Sequence, residues 1–211
     1  MEKVAILGGA FNPIHYGHLR PAEEVREALG FSKVLFIPVS LPPHKDEILA
    51  GAGERLEMTW LATAGNPCFE VSDIEISRGG RSYTIDTVKE LGRKGVVPAI
   101  ITGCDAFNDI TAWCGYEELF TLADFVVLPR PGYAVKKIGE VVPVELARKF
   151  WYDEKSRAYL NSFGRRVTYV ETTLMDISSS GIRGKIKEGA SVRYLLPEGV
   201  LGFILKKGLY R

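Results

Sequence analysis

Val4-Ala5-Ile6-Leu7-Gly8-Gly9-Ala10-Phe11-Asn12-Pro13-Ile14-His15-Tyr16-Gly17-His18-Leu19 reads as a strand, a turn and the start of a helix. The apolar run has strand length, Asn12-Pro13 is turn chemistry, and an amphipathic pattern begins where two histidines flank Gly17. Gly8 and Gly9 lack a Cβ, so the backbone can turn sharply at the strand's carboxyl end and let a ligand approach its amides. The helix that follows offers unpaired N–H groups and the positive end of its dipole, both of which favour a phosphate. His15 and His18 lie three apart around a glycine, so both rings can aim at one spot and donate to phosphate oxygens. Singly, a glycine pair is an ordinary turn and a histidine an ordinary surface residue. The ordered set is what points to phosphate.

Phosphate binding has to be local, because the 27 basic and 26 acidic residues leave no global charge to attract nucleic acid or an anionic membrane. A chain of 211 residues suits one domain, and it can bury roughly 70% of its unfolded surface. No apolar run approaches the ~20 residues that span a bilayer. Met1-Glu2-Lys3 runs straight into strand pattern, so no signal peptide is expected and a cytoplasmic protein is. Cys68, Cys104 and Cys114 are odd in number and widely spaced, which suits reduced thiols and no structural zinc.

In chain order, a helix is expected over about Leu19–Leu29, with Pro21 in its first turn, and then a buried parallel strand over Lys33–Val39. These complete a βαβ unit. Two prolines then stiffen Ser40-Leu41-Pro42-Pro43-His44-Lys45-Asp46; this is either a solvated surface loop or one carrying His44 and Lys45 to a phosphate. A helix over about Glu54–Ala64 is expected to bury Leu56, Trp60 and Leu61. Alternation over Phe69–Ile76 predicts a half-exposed strand. A polar turn, Arg78 to Thr84, leads to a helix over about Asp86–Arg93, with Thr84 as its N-cap or as an amide facing a ligand. Pro98–Gly103 is a buried strand, and Asp105 just beyond it is placed either to hold a ribose hydroxyl or to cap a helix. Trp113 is either packing or a flat platform for a planar ring. A fifth strand over Phe125–Pro129 is closed by Arg130-Pro131-Gly132-Tyr133. The text from Ala134 to Arg166 differs, helix-like over Val144–Phe163, as an inserted cover with association as its use; a short strand resumes at Val167–Val170. In Met175-Asp176-Ile177-Ser178-Ser179-Ser180-Gly181-Ile182-Arg183, serines at a helix start can cap it or hold phosphate, and Arg183 adds a forked cation.

Together these stretches resemble the bacterial nicotinate-nucleotide adenylyltransferases, within the nucleotidyltransferase superfamily whose (H/T)xGH signature is matched by His15-Tyr16-Gly17-His18. The resemblance runs nearly end to end through GGAFNPIHYGHL, PPHK, GRSYTIDT, GCD, RPGY, ISSSGIR and YLLPEGV…GLY. It implies an α/β fold: a doubly wound parallel sheet of five strands with a small helical carboxyl-terminal part. All of 1–211 then forms one unit, with a core at 1–133, a cover at 134–166, and the ISSSGIR segment with closing helices at 167–211. The implied reaction transfers AMP from ATP to nicotinate mononucleotide, giving nicotinate adenine dinucleotide and pyrophosphate.

By the same resemblance, His18, His15 and Arg183 carry the chemistry. ATP is held by them together with Gly8, Gly9, Phe11, Gly103, Asp105, Ile177, Ser179 and Ser180. Nicotinate mononucleotide is assigned to Asn12, His44, Lys45, Ser82, Tyr83, Thr84, Trp113, Cys114 and Arg130, with Trp113 on the pyridine ring and the amides of Thr84 and Cys114 on its carboxylate. Magnesium is expected to travel with ATP, with no metal site on the protein. Ala10, Asn12 and Thr111-Ala112 depart from the usual threonine, aspartate and leucine-proline. Rival readings are an adenylyltransferase for nicotinamide mononucleotide or phosphopantetheine, and a non-catalytic nucleotide sensor. Homo-oligomer formation stays open.

Overall fold

The computed structural model describes residues 4–42 and 50–211. Strand β1 (Val4–Gly9), helix α1 (Tyr16–Leu29) and strand β2 (Lys33–Pro38) form the expected βαβ unit, with Val4 opposite Lys33 and Gly9 opposite Pro38 in parallel register. Helix α1 starts earlier than hydropathy suggests because His15 serves as its N-cap. Pro21 therefore lies inside the helix and not in its first turn.

Helix α2 (Ala52–Thr63) leads to β3 (Phe69–Val71), which pairs with β2. The expected long strand over 69–76 stops there. Ser72 Oγ accepts from the Ile74 amide at 3.3 Å and Asp73 accepts from Ser77 Oγ at 2.6 Å, so side chains turn the backbone into helix α3 (Ile74–Arg78). Helix α4 (Thr84–Arg93) is capped by Tyr83, which leaves Thr84 as its first residue and not its cap. Then come β4 (Pro98–Gly103), α5 (Cys104–Asn108), a single 3-10 turn, α6 (Tyr116–Leu122) and β5 (Asp124–Leu128).

The segment 134–166 is not the helical cover that its composition suggests. After short helices α7 (Ile138–Val141) and α8 (Val144–Ala147), it forms an antiparallel hairpin of β6 (Phe150–Asp153) and β7 (Ala158–Asn161). The aromatic run Phe150-Trp151-Tyr152 before a four-residue turn, and Tyr159 after it, favour strands, and Tyr152 packs on its cross-strand partner Tyr159 with ring centroids 5.1 Å apart. The hairpin joins β8 (Arg166–Tyr169), which itself runs parallel to β5. The sheet therefore has eight strands in the order β3-β2-β1-β4-β5-β8-β7-β6; β8 is the short strand expected at Val167–Val170, and the hairpin adds two that were not expected. Helices α9 (Ser179–Lys187) and α10 (Glu198–Lys207) close the chain.

Neighbouring residues such as Ala5 and Ile6, Ile100 and Ile101, or Val126 and Val127 point to opposite faces and are all buried. That is why these strands read as continuous apolar runs. One face is covered by α1, α2, α9 and α10 through Val25, Met58, Ile182 and Val200. The other is covered by α4 to α8, with Val88, Phe107, Leu119, Ile138 and Leu146. Strand order reverses between β1 and β4, and in such sheets ligands bind beyond the carboxyl ends of the strands at that reversal.

Helix α2 overturns one expectation about the core. Arg55, Thr59 and Thr63 are buried beside Met58, whereas Leu56 is only partly buried and Trp60 and Leu61 are 48% and 37% exposed. Thr59 and Thr63 satisfy their hydroxyls on the carbonyls one turn back, at 2.7 and 3.0 Å. The inward stripe tolerates polar groups because Arg55 serves the carbonyls of Ala10, Ser40 and Ala50 and the threonine hydroxyls bond the helix itself.

Candidate active site

A cleft of about 380 Å³ opens at the reversal, between the ends of β1 and β4, the start of α1 and the start of α9. Phe11, His15, His18, Gly103, Arg130, Ile177, Ser179, Ser180 and Arg183, which the sequence reading singled out, all line it.

The turn after β1 is sharp and held by side chains from distant parts of the chain. Phe11 has φ 46°, and the Asn12-Pro13 bond is cis. A Cβ on Gly9 would lie 2.9 Å from the Phe11 ring, so glycine is needed there for close approach. Three carbonyls of the turn are tied from behind: Ala10 by Arg55 Nη1 at 2.9 Å, Asn12 by Arg183 Nη1 at 2.9 Å and Pro13 by Ser179 Oγ at 2.9 Å. The Asn12 side-chain oxygen accepts from the Tyr210 hydroxyl at 2.6 Å. The amides of Ala10, Phe11 and Asn12, by contrast, donate to nothing among the described residues. A row of backbone donors without partners is an anion-binding surface.

The two histidines stack beside it, centroids 3.8 Å apart, with the Phe11 ring edge-on to His18 at 5.2 Å. His18 Nδ1 accepts from the His15 amide at 3.3 Å, which puts the proton of the neutral ring on Nε2 and makes that atom a donor. Burial pulls His15 down from 6.5 to about 4, with the nearby Arg130 guanidinium as the second cause. Burial also carries His18 well below 6.5, followed by the effects of His15 and Arg130. Both rings are thus neutral donors near pH 7. His15 Nδ1 is buried without a partner among the described residues. A Cβ on Gly17 would sit 3.0 Å from the His15 ring and 3.2 Å from the Ile177 carbonyl, so glycine also lets the second segment close on the first.

Across the cleft, Ser178 caps α9 by accepting from the Gly181 amide at 3.0 Å. Arg183, one turn in, lines the cleft while one of its nitrogens holds Asn12. Asp105 lies in the first turn of α5 and accepts from Arg130 Nη1 at 2.6 Å; its other carboxylate oxygen is buried and unpartnered among the described residues. Arg130, assigned in the sequence to the acceptor, lines this same cleft.

The described residues Ser82, Tyr83, Thr84, Trp113 and Cys114 do not line this cleft. Ser82 is buried and accepts from the Ser40 amide at 2.9 Å, Tyr83 caps α4, and Thr84 begins it. Trp113 is partly buried against the α4–α6 side of the core, and Cys114 is exposed. A Cβ on Gly115 would meet Ile85 at 3.2 Å, which places the 113–115 loop against the first turn of α4. Neither the Thr84 nor the Cys114 amide donates to another described residue. Gly8 and Gly9 end β1, while His44 and Lys45 lie outside the described residues. Sequence reading missed Arg55 and Tyr210. The polar i, i+4, i+8 stripe of Arg55, Thr59 and Thr63 was the available signal for the first, and nothing local marks the second.

No group of three His, Cys, Asp or Glu side chains among the described residues is placed to hold a metal ion. The donor set of imidazoles, hydroxyls, amides and a guanidinium fits polyphosphate oxygens. No helix of the described residues is long and apolar enough to cross a membrane.

A family model described as cytidylyltransferase-like matches residues 6–185. The probable nicotinate-nucleotide adenylyltransferase of Citrifermentans bemidjiense is 45% identical over 215 residues, covering 99% of this chain and 98% of that one. A protein of the same name from Geobacter sp. (strain M21) is 43% identical over 213 residues, with 99% and 98% covered. Among solved structures, the nicotinic acid mononucleotide adenylyltransferase of Plasmodium falciparum complexed with NaAD aligns with a TM-score of 0.74 at 16% identity, over 100% of this chain and 98% of that one. At that identity the likeness speaks to the fold.

Proposed function

The chain belongs to the cytidylyltransferase-like family and, within it, to the nicotinate-nucleotide adenylyltransferases, and from that membership we propose that it transfers AMP from ATP to nicotinate mononucleotide, releasing pyrophosphate and forming nicotinate adenine dinucleotide in NAD biosynthesis. The observation that carries this reading is the stacked His15–His18 pair facing Ser179, Ser180 and Arg183 across one cleft at the strand-order reversal.

The phosphate oxygen of nicotinate mononucleotide attacks the α-phosphorus of ATP; one P–O bond forms as the α–β bridging bond breaks, and the electron pair leaves with pyrophosphate. A phosphate monoester is largely ionised at pH 7, so the attack needs neither a protein nucleophile nor a strong base. Positioning and charge stabilisation do the work. His18 Nε2–H donates to the α-phosphate oxygens as they gain charge, and His15 holds the polyphosphate beside it. Ser179, Ser180 and Arg183 hold the β- and γ-phosphates that leave, and Asp105 accepts from the ribose. Magnesium arriving on ATP supplies further charge neutralisation of the polyphosphate.

The acceptor lies over Ser82, Tyr83, Thr84, Trp113 and Cys114. The amides of Thr84, at the positive end of α4, and of Cys114 read the nicotinate carboxylate, and Trp113 stacks on the ring. Two N–H donors suit a carboxylate and face a carboxamide NH₂ unfavourably, which costs about 1–3 kcal/mol for an unmatched donor. The acid is therefore preferred over nicotinamide mononucleotide.

The test is pyrophosphate release from Mg-ATP with nicotinate mononucleotide, nicotinamide mononucleotide and phosphopantetheine offered separately. Turnover should be greatest on the first, and His18→Ala should lower it by about 100- to 1,000-fold. Equal turnover on the two mononucleotides would remove the carboxylate account, and no turnover on any acceptor would remove the reaction.

A further inference from the structure

Arg55 is wholly buried on α2, and its guanidinium meets no carboxylate among the described residues. Burying a cation without a counter-ion is costly unless its donors are all used. Here three nitrogens serve three main-chain carbonyls: Nη1 reaches Ala10 at 2.9 Å, Nη2 reaches Ser40 at 2.8 Å and Nε reaches Ala50 at 3.2 Å.

These partners belong to different halves of the site. Ala10 opens the turn whose free amides face the donor nucleotide. Ser40 is the other way connected, since its amide donates to Ser82 Oγ at 2.9 Å and the Ser82 amide donates to the Leu41 carbonyl at 2.9 Å. Ser82 is buried two residues before Thr84, at the positive end of α4. Three hydrogen bonds, Ala10 to Arg55, Arg55 to Ser40 and Ser40 to Ser82, therefore span from the phosphate turn to the helix end that reads the acceptor.

The geometry points to Arg55 as a positioning residue that sets the distance between the two bound nucleotides, and so the alignment of attack on the α-phosphorus. This rests on the division into donor and acceptor groups proposed above. Displacing reactants by about 1 Å costs on the order of 100-fold in rate. Only a planar fork satisfies three carbonyls that lie in different directions; a lysine ammonium donates from a single nitrogen.

The experiment compares wild type, Arg55→Lys and Arg55→Ala in the full chain. It measures thermal unfolding, affinity for a non-hydrolysable ATP analogue by calorimetry, and kcat and KM for the acceptor. Methylguanidinium is then added to Arg55→Ala. The expected result is a loss of about 100-fold in kcat/KM for the acceptor in Arg55→Lys, larger than any loss of affinity for the ATP analogue alone, and partial recovery of kcat in Arg55→Ala with methylguanidinium but not with equal sodium chloride. Wild-type activity in Arg55→Lys, or losses of ATP-analogue binding and turnover in step with the unfolded fraction, would overturn the inference. Wild-type turnover is measured first: if a different nucleotide acceptor proves to be the substrate, the reaction is corrected and the same comparison on that acceptor still decides Arg55. No turnover on any acceptor overturns both.

Discussion

Acidification should destabilise the free protein through its histidine pair, and the size of the effect follows from the burial of the two rings. His15 is only 4% exposed and titrates at about 4, against 6.5 for an exposed imidazole. Between those values the unfolded chain binds a proton that the folded chain refuses. The stability supplied by a neutral His15 is thus fully present above pH 6.5 and is lost as the pH falls towards 4. A displacement of that size corresponds to roughly 3 kcal/mol, with a slope approaching about 1.4 kcal/mol per pH unit. His18 shifts in the same direction and adds to the loss.

Urea denaturation from about pH 7.5 to about pH 4.5, on wild type and on His15→Gln, isolates the histidine contribution. Carboxylates held down by hydrogen bonds, such as Glu23 and Glu24, contribute equally to both proteins and cancel in the difference. The wild type should lose more stability than the variant across this window. Filling the cleft with a Mg-bound, non-hydrolysable ATP analogue sets oxyanions against the rings and raises their proton affinity, so binding near pH 6 should take up protons, read by calorimetry in two buffers of different ionisation enthalpy. Parallel stability curves for wild type and His15→Gln would refute the account, and so would proton-neutral binding of the analogue.

Two further outcomes follow from contacts at the same turn. Tyr210→Phe keeps the buried ring but leaves the Asn12 side-chain oxygen without its 2.6 Å donor, so stability should fall by about 1–3 kcal/mol, measured as the shift in urea midpoint at constant slope. Gly17→Ala improves helix propensity by up to about 1 kcal/mol while its methyl meets the His15 ring at 3.0 Å and the Ile177 carbonyl at 3.2 Å. Its melting temperature should hold while kcat drops by about tenfold or more; full activity would show that the two segments need not approach so closely.

Much of the site was legible because its signals are local. A strand, two glycines, a turn and a histidine-capped helix occupy sixteen consecutive residues, Val4 to Leu19, and their order alone indicates a phosphate. The serine cap of α9 is equally local. Hydropathy misjudged α2, since Arg55 on its inward face serves loop carbonyls and Thr59 and Thr63 satisfy their hydroxyls on the helix's own backbone, while Trp60 and Leu61 are exposed. It also misjudged 144–163, where charged residues among aromatic ones resemble a helix surface until cross-strand pairing of Tyr152 with Tyr159 selects a hairpin.

By itself, then, the amino-acid sequence determined the candidate phosphate turn, the βαβ start and the family resemblance, because turns, caps and periodicity depend on residues only a few places apart. Tertiary structure alone decided which carbonyls are tied back and which amides are left free. Tyr210 reaches Asn12 across 198 positions, and Arg183 and Ser179 reach Asn12 and Pro13 across 171 and 166. Such contacts leave no periodic trace, since their partners become neighbours only after the sheet has brought both ends of the chain to the same edge.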